Sequence, residues 1–253
     1  MTIAKAVPRL SVVMPCLNMG GFIDAALRSI ARQTVPVHEV LLIDAGSTDQ
    51  TLAVAAAHQR AGLPLRIIGH EPGAPSRARN RGIAQAEGDL IAFLDADDLW
   101  PAGKLERQVS RLARDPAIDM VSGYLCYFDT ADESGLAPAP ASRTERLFHV
   151  CVGACIYRRD VFETLGGAFD ETLVYGEDVD LLLRVREHGV PFSILRSVEL
   201  YYRQHPKSMM ATNTERQHAD FRRAAHKSLM RRRAAGTLAT PLPDFIQFLE
   251  PST

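Results

Sequence analysis

The 253-residue chain contains no apolar run approaching the roughly 18 to 20 residues that a bilayer span needs. A strand-like segment begins at Leu10, with no apolar signal core before it. A cytoplasmic protein is the expectation, at most resting on the inner face of a membrane. The four cysteines (Cys16, Cys126, Cys151, Cys155) include no Cys-x-x-Cys pair and no histidine completes a zinc-like set, which argues against structural zinc and for reduced, mostly buried thiols. A formal net charge of -1 leaves the whole molecule no polyanion-binding role, and no nucleic-acid partner is expected. There is no internal repeat and no linker separating two independent domains. A 46% hydrophobic share with 23% charged residues belongs to an ordinary globular chain, so disorder is not the default.

What is present begins with alternating strand and helix signals. Leu10 to Met14, Glu39 to Ile43, Leu65 to Ile68 and Leu90 to Leu94 read as strands. Helices are expected from Gly20–Gly21 to near Gln33, from Gln50 to Ala61 behind Ser47-Thr48-Asp49, and from Ser76 to Ala86. This spacing argues for βαβ units and a mainly parallel sheet, whose ligands bind beyond the carboxyl ends of the strands. Later come a helix over Lys104 to Arg114, a strand over Met120 to Phe128, an exposed mobile loop over Asp129 to Ser142, and a strand over His149 to Tyr157. A helix over Asp178 to His188 and two short strands, Phe192 to Leu195 and Glu199 to Arg203, follow. From Tyr201 to Arg233 nine basic residues stand against Glu215 and Asp220, so a segment of charge +7 sits on a remainder of -8. A C-terminal basic helix is expected there, packed on the domain or at a dimer interface in the blander view, or lying on an anionic membrane.

Four constellations can carry chemistry. In Leu94-Asp95-Ala96-Asp97-Asp98, three carboxylates crowd four positions directly after a buried strand. Such a cluster calls for a cation, and Mg²⁺ or Mn²⁺ held jointly with substrate phosphates suits it; a helix cap by Asp98 would explain only one of the three. Asp44, at the end of the second strand, can accept hydrogen bonds from a base or ribose, or make an Asx turn. Glu177 and Asp178, opening a helix, suit the helix dipole or a general base beside a reacting hydroxyl. His205, in Tyr202-Arg203-Gln204-His205-Pro206, can ligate a metal or help neutralise a leaving group.

Taken in order, these segments resemble the family 2 glycosyltransferases of GT-A (Rossmann-like) fold, over about Leu10 to Met210. The matching blocks are Ser11-Val12-Val13-Met14-Pro15 with Asn18, Ile43 to Asp49, Arg77-Ala78-Arg79-Asn80-Arg81-Gly82, Leu94 to Asp98, Gly167-Ala168-Phe169-Asp170, Gly176-Glu177-Asp178 and Tyr202 to His205. The resemblance implies a mainly parallel α/β sheet with flanking helices and a smaller acceptor-side β region. It assigns residues 1–210 to the transferase domain, the nucleotide half over about 1–100 and the acceptor half over about 101–210, with 211–253 as a basic helix and tail packed on it. It implies transfer from a nucleotide diphosphate sugar, a UDP-sugar foremost, to a saccharide or lipid-linked acceptor, with inversion and with Mn²⁺ or Mg²⁺. Carried over, Pro15, Asn18 and Asp44 line the base and ribose pocket, Arg77 reaches base or diphosphate, and Asp95 with Ala96 holds the ribose side. Asp97 and His205 take the metal, Asp178 is the general base and Glu177 positions the acceptor.

Two departures from the family stand out: Asp44 is followed by Ala45 where many members have a second Asp, and Leu17 replaces an aromatic. The Gln-x-x-Arg-Trp signature of processive synthases is absent, which favours single addition. A nucleotidyltransferase would carry a Gly-rich N-terminal phosphate loop that Pro15 to Gly21 lacks. A catalytically silent nucleotide-sugar-binding scaffold is the other alternative, and the presence of Asp97 and Asp178 argues against it.

Overall fold

The computed structural model describes residues 8–147, 151–211, 213–242 and 244–251. Strands β1 (Leu10–Cys16), β2 (Glu39–Asp44), β3 (Leu65–Gly69) and β4 (Leu90–Phe93) alternate with helices α1 (Ile23–Ala31), α2 (Thr51–Arg60) and α3 (Pro75–Gln85). These four strands are mutually parallel, ordered β3-β2-β1-β4, because each helix carries the chain back over the sheet before the next strand begins. The second half contributes α4 (Lys104–Arg114), β5 (Met120–Phe128), β6 (Glu145–Leu147), β7 (Ile156–Arg158), α5 (Asp160–Thr164), α6 (Glu177–Glu187), β8 (Phe192–Arg203) and α7 (Thr214–Ala234). β7 inserts antiparallel between β4 and β5, and β8 runs parallel to β5, completing an eight-stranded sheet.

Alternation along β1 sorts the core onto the two covered faces of that sheet. Val12 and Met14 join Ile23, Leu27, Ile30, Trp100 and Leu105 on one face. Val13 joins Ala78, Phe93, Phe162, Leu181 and Val185 on the other. A β-carbon on Gly82 would lie 2.3 Å from a Val13 methyl, so the glycine of the Arg77 to Gly82 block lets α3 press directly onto β1.

Three expectations are corrected. The two short strands near the end are one strand, β8, whose pairing with β5 slips between Ser122 and Leu125 without ending the strand. Of the strand expected over His149 to Tyr157, His149 and Val150 lie outside the described residues. Val152–Ala154 makes a 3-10 turn, and only Ile156–Arg158 pairs, because the turn precedes the register with β4. Asp98 caps no helix: α4 starts at Lys104 behind Gly103, which holds a left-handed φ of 71°.

β8 also sets the geometry of the site. Leu99 and Tyr201 exchange backbone hydrogen bonds at 3.0 and 2.9 Å, drawing the end of β8 alongside the turn that follows β4.

Candidate active site

A cleft of about 580 Å³ opens beyond the carboxyl ends of β1 and β4, where an open parallel sheet leaves its strand-end side chains free. Its walls include Pro15, Asp95, Ala96, Asp97, Glu177 and Asp178. Residues expected from the resemblance to serve nucleotide, metal and acceptor therefore share one cavity.

On the β4 side the carboxylates occupy distinct surroundings. Asp97 Oδ2 lies 3.0 Å from His205 Nε2, across 108 residues of sequence. The imidazole packs against Phe22 with ring centroids 4.5 Å apart, and its Nδ1 is buried without a partner among the described residues. Burial and the neighbouring Asp95 push the Asp97 carboxyl above its ordinary range, while His205 pulls it down. Asp98 Oδ1 accepts the Arg203 backbone N–H at 2.8 Å, tying the β4 turn to β8.

A carboxylate and an imidazole side by side suit a hard divalent cation. Among the described residues no group of three or more His, Cys, Asp or Glu converges on such a site. Two protein ligands, with substrate oxygens supplying the rest, is the pattern of Mg²⁺ or Mn²⁺ bound with a nucleotide rather than in a protein cage.

The two sides of the cleft meet at Arg79, which sequence reasoning missed. This buried guanidinium donates from Nη2 to both Asp95 oxygens, at 2.8 and 3.0 Å, and from Nη1 to Glu177 Oε1 at 2.5 Å. It stacks over Phe169 at 5.5 Å, and its flanking carboxylates hold it firmly charged against the effect of burial. One cation thus serves two carboxylates. Burial pushes the Glu177 carboxyl up to about 7, with Arg79 pulling down and Asp178 pushing up. The detectable signal was helical phase: Arg79 shares a face of α3 with the buried Ser76 and Gly82, whereas Arg77 does not.

Three expected nucleotide binders, and the expected metal ligand His205, are not among the residues lining the cleft. Arg77 is half exposed and faces Glu171 at 3.4 Å. Asp44 Oδ2 accepts the N–H groups of Gly46 and Ser47 at 3.1 and 3.0 Å, the Asx-turn alternative. Asn18 adopts φ 55° and its Oδ1 accepts the Thr48 N–H at 2.8 Å, while its own N–H donates to Ser47 Oγ at 2.8 Å. Asn18 and Asp44 thus shape and join the loops after β1 and β2.

Other cleft residues carried no individual expectation: Tyr127 and Tyr202, whose rings meet edge to face at 5.2 Å, together with Lys207 and Phe221. Lys207 is exposed and has no ion-pair partner among the described residues. Cys16 and Cys151 also line the cavity. Burial pushes Cys16 up to about 12 and Cys151 well above its usual range, so both remain thiols rather than nucleophilic thiolates.

Helix α6, which begins with Glu177 and Asp178, is backed by α7. Arg231 reaches both Asp180 and Glu187 of α6, Lys227 pairs with Asp170, and Asp220 accepts the backbone N–H groups of Val174 and Tyr175 at 3.2 and 3.3 Å. The inner face of the basic helix is therefore packed and partnered. Its outer face leaves Arg222, Leu229, Met230 and Arg233 exposed. No helix among the described residues is long and apolar enough to cross a membrane.

A mainly parallel sheet with an antiparallel insertion, carboxylates at the β4 end and a helix-borne acid pair opposite define a GT-A α/β fold of the transferase class. Residues 11–166 match glycosyl transferase family 2, and the chain belongs to that family. It is 28% identical over 219 residues to the uncharacterized glycosyltransferase EpsJ of Bacillus subtilis, covering 80% of this chain and 63% of EpsJ. It is 29% identical over 177 residues to the UDP-Glc:alpha-D-GlcNAc-diphosphoundecaprenol beta-1,3-glucosyltransferase WfgD of Escherichia coli, covering 70% of this chain and 69% of WfgD. The fold is shared with S. aureus TarS 1-349 in complex with UDP-GlcNAc, at TM-score 0.67 and 24% identity over 87% of this chain and 66% of that one. It is also shared with the mannosyltransferase PcManGT of Pyrobaculum calidifontis in complex with GDP-Man and Mn²⁺, at TM-score 0.62 and 22% identity over 92% of this chain and 77% of that one. The chain thus spans 63% of the length of EpsJ.

Proposed function

We propose that the protein is an inverting glycosyltransferase that moves a sugar from a nucleotide diphosphate sugar, a UDP-sugar foremost, to an acceptor hydroxyl in polysaccharide or glycolipid assembly. The observation that carries this reading is the cleft itself, with the Asp97–His205 pair on one side and Asp178, beside the Arg79-bound Glu177, on the other.

Pro15, Asp95 and Ala96 form the donor wall. Asp97 and His205 would hold Mn²⁺ or Mg²⁺, which when bound neutralises charge on the diphosphate. Lys207 offers a second positive charge to that leaving group. Asp178 accepts the proton of the acceptor hydroxyl, and the freed oxygen attacks the anomeric carbon. The bond from that carbon to the diphosphate oxygen breaks, and one displacement inverts the centre. Glu177, held by Arg79, orients the acceptor. The aromatic edge of Tyr127 and Tyr202 offers a surface for the sugar or its carrier.

The nucleotide sugars held by TarS and PcManGT support this donor class, and the lipid-diphosphate acceptor in WfgD's name supports a glycolipid acceptor. Titration calorimetry of UDP, GDP, TDP and CDP into metal-free protein, with and without Mn²⁺, tests the donor site. One nucleotide should bind, and only with the metal. Failure of all four to bind a folded sample would sink the reading.

A further inference from the structure

We propose that Asp220 and Phe221 of α7 are positioning residues for Asp178, so that the basic C-terminal helix is a brace for the acceptor side of the cleft. The inference rests on the reading of Asp178 as the proton acceptor. It extends that reading to a helix beyond the family-matched residues 11–166.

Asp178 is the second residue of α6, and no side chain caps that helix. Its place is therefore set by the preceding loop, which must deliver the chain at a defined angle through Gly176. The loop is gripped at three levels from α7. Lys227 pairs with Asp170 and donates to Thr172 Oγ1 at 2.9 Å, while Arg223 donates to the Thr172 carbonyl at 3.1 Å. Asp220, 2% exposed, takes the N–H groups of Val174 and Tyr175 with a single oxygen, and Arg223 lies 3.2 Å from its other oxygen. Phe221 closes over Gly176 itself. A β-carbon there would sit 2.7 Å from Phe221 Cδ1, and the backbone φ of 68° already favours glycine.

These contacts differ in kind from ordinary surface ion pairs. Asp220 satisfies two backbone donors immediately before the acid pair, and a donor left without its acceptor in a buried place is costly. Phe221 shares the cavity wall with Gly176, Glu177 and Asp178, so its ring forms part of the surface against which an acceptor would lie. Displacement of a reacting group by about 1 Å can lower a rate about 100-fold. Loosening this loop should therefore act on turnover and leave the β4-side nucleotide site intact.

The test uses the full chain with Mn²⁺ and four single variants: Phe221→Ala, Phe221→Leu, Asp220→Leu and Asp220→Asn. UDP affinity is read by calorimetry. Turnover is read as UDP release from UDP-glucose and UDP-N-acetylglucosamine in the presence of lipid-diphosphate-linked N-acetylglucosamine, and amide hydrogen exchange is followed across residues 170–180. Phe221→Ala and Asp220→Leu should lower kcat at least about 10-fold with the UDP Kd within about 2-fold, and exchange at Val174 and Tyr175 should rise. Phe221→Leu keeps an apolar contact and Asp220→Asn keeps an acceptor oxygen, so each should recover part of the loss. Unchanged exchange, wild-type kcat, or a UDP Kd that weakens in step with kcat would each overturn the proposal. Asp178→Asn run alongside separates the two readings. Wild-type turnover in that variant removes the base assignment, while the exchange results still decide whether α7 braces the loop. If Asp220→Leu fails to fold, the Phe221 pair alone decides.

Discussion

The two sides of the cleft are built by different means. On the donor side, the chemical groups stand at or just beyond the ends of strands in an unbroken parallel ladder, and the core fixes their place. Phe93 and Leu94 are fully buried and the chain can only emerge at Asp95. On the acceptor side, Glu177 and Asp178 begin a helix whose approach is held by polar contacts from elsewhere, Arg79 in front and α7 behind. A site resting on apolar packing should tolerate charge changes at a distance. One resting on ion pairs and buried hydrogen bonds should respond to them, because removing one partner leaves the other stranded.

The sharpest way to separate the two sides is Asp178→Asn. With the proton acceptor gone, kcat should fall by about 10²–10⁴-fold, while calorimetry should show Mn²⁺-dependent UDP binding nearly intact. Asp97→Ala should do the reverse at the first step, abolishing Mn²⁺-dependent nucleotide binding in the same titration. If Asp178→Asn also lost Mn²⁺-dependent nucleotide binding, or if Asp97→Ala kept it, the division of the cleft would be wrong. Arg79→Met strikes the guanidinium that joins Asp95 to Glu177. It strands Asp95 and Glu177 without their shared cation and should lower unfolding free energy by about 3–5 kcal/mol, measured by urea denaturation.

This difference also sets how much could be read from the chain. The parallel half was legible because hydrophobic patterning is local, and residues after a strand end have one direction to point. Pairing Asp97 with His205 came only through resemblance, since the contact spans 108 residues and depends on β8 bridging to Leu99. The blocks Arg77 to Gly82 and Gly167 to Asp170 were legible as motifs, though not in their connection. Asn80 donates to the Phe169 carbonyl at 2.9 Å and accepts the Phe169 N–H at 2.8 Å, so the two motifs are one clamp. Asp44 and Asn18 illustrate the limit: side chains able to bind a ribose are equally able to close an Asx turn or accept from a neighbouring loop. For the basic stretch that includes α7, charge bookkeeping left packing on the domain and lying on an anionic membrane both open, because the acids that answer it lie on another helix and loop.

Glu177 should also give the acceptor side a pH signature. Folded protein keeps a proton on Glu177 up to about 7, whereas the unfolded chain releases it near its ordinary 4.5. Stability from this group is therefore fully present below about 4.5 and is lost as pH rises through about 7, a change of up to about 3 kcal/mol. Urea midpoints measured from pH 5 to 8 should decline on that account, and Glu177→Gln should flatten the decline. A Glu177→Gln slope equal to wild type would place the titrating group elsewhere.

The smallest expected effect falls on Arg77, two residues from the most consequential arginine. Its guanidinium is half exposed and its partner Glu171 is equally so, a geometry worth at most about 1 kcal/mol. Arg77→Ala should leave the urea midpoint nearly unmoved and the Mn²⁺-dependent UDP Kd within about 3-fold of wild type. An increase of 10-fold or more would mean that the nucleotide passes over the rim beside Gly73, where a β-carbon would lie 3.1 Å from Arg77 Cδ. The donor side would then draw affinity from an exposed side chain as well as from its strand ends, and the contrast between a packed donor wall and a tethered acceptor wall would have to be redrawn at that rim.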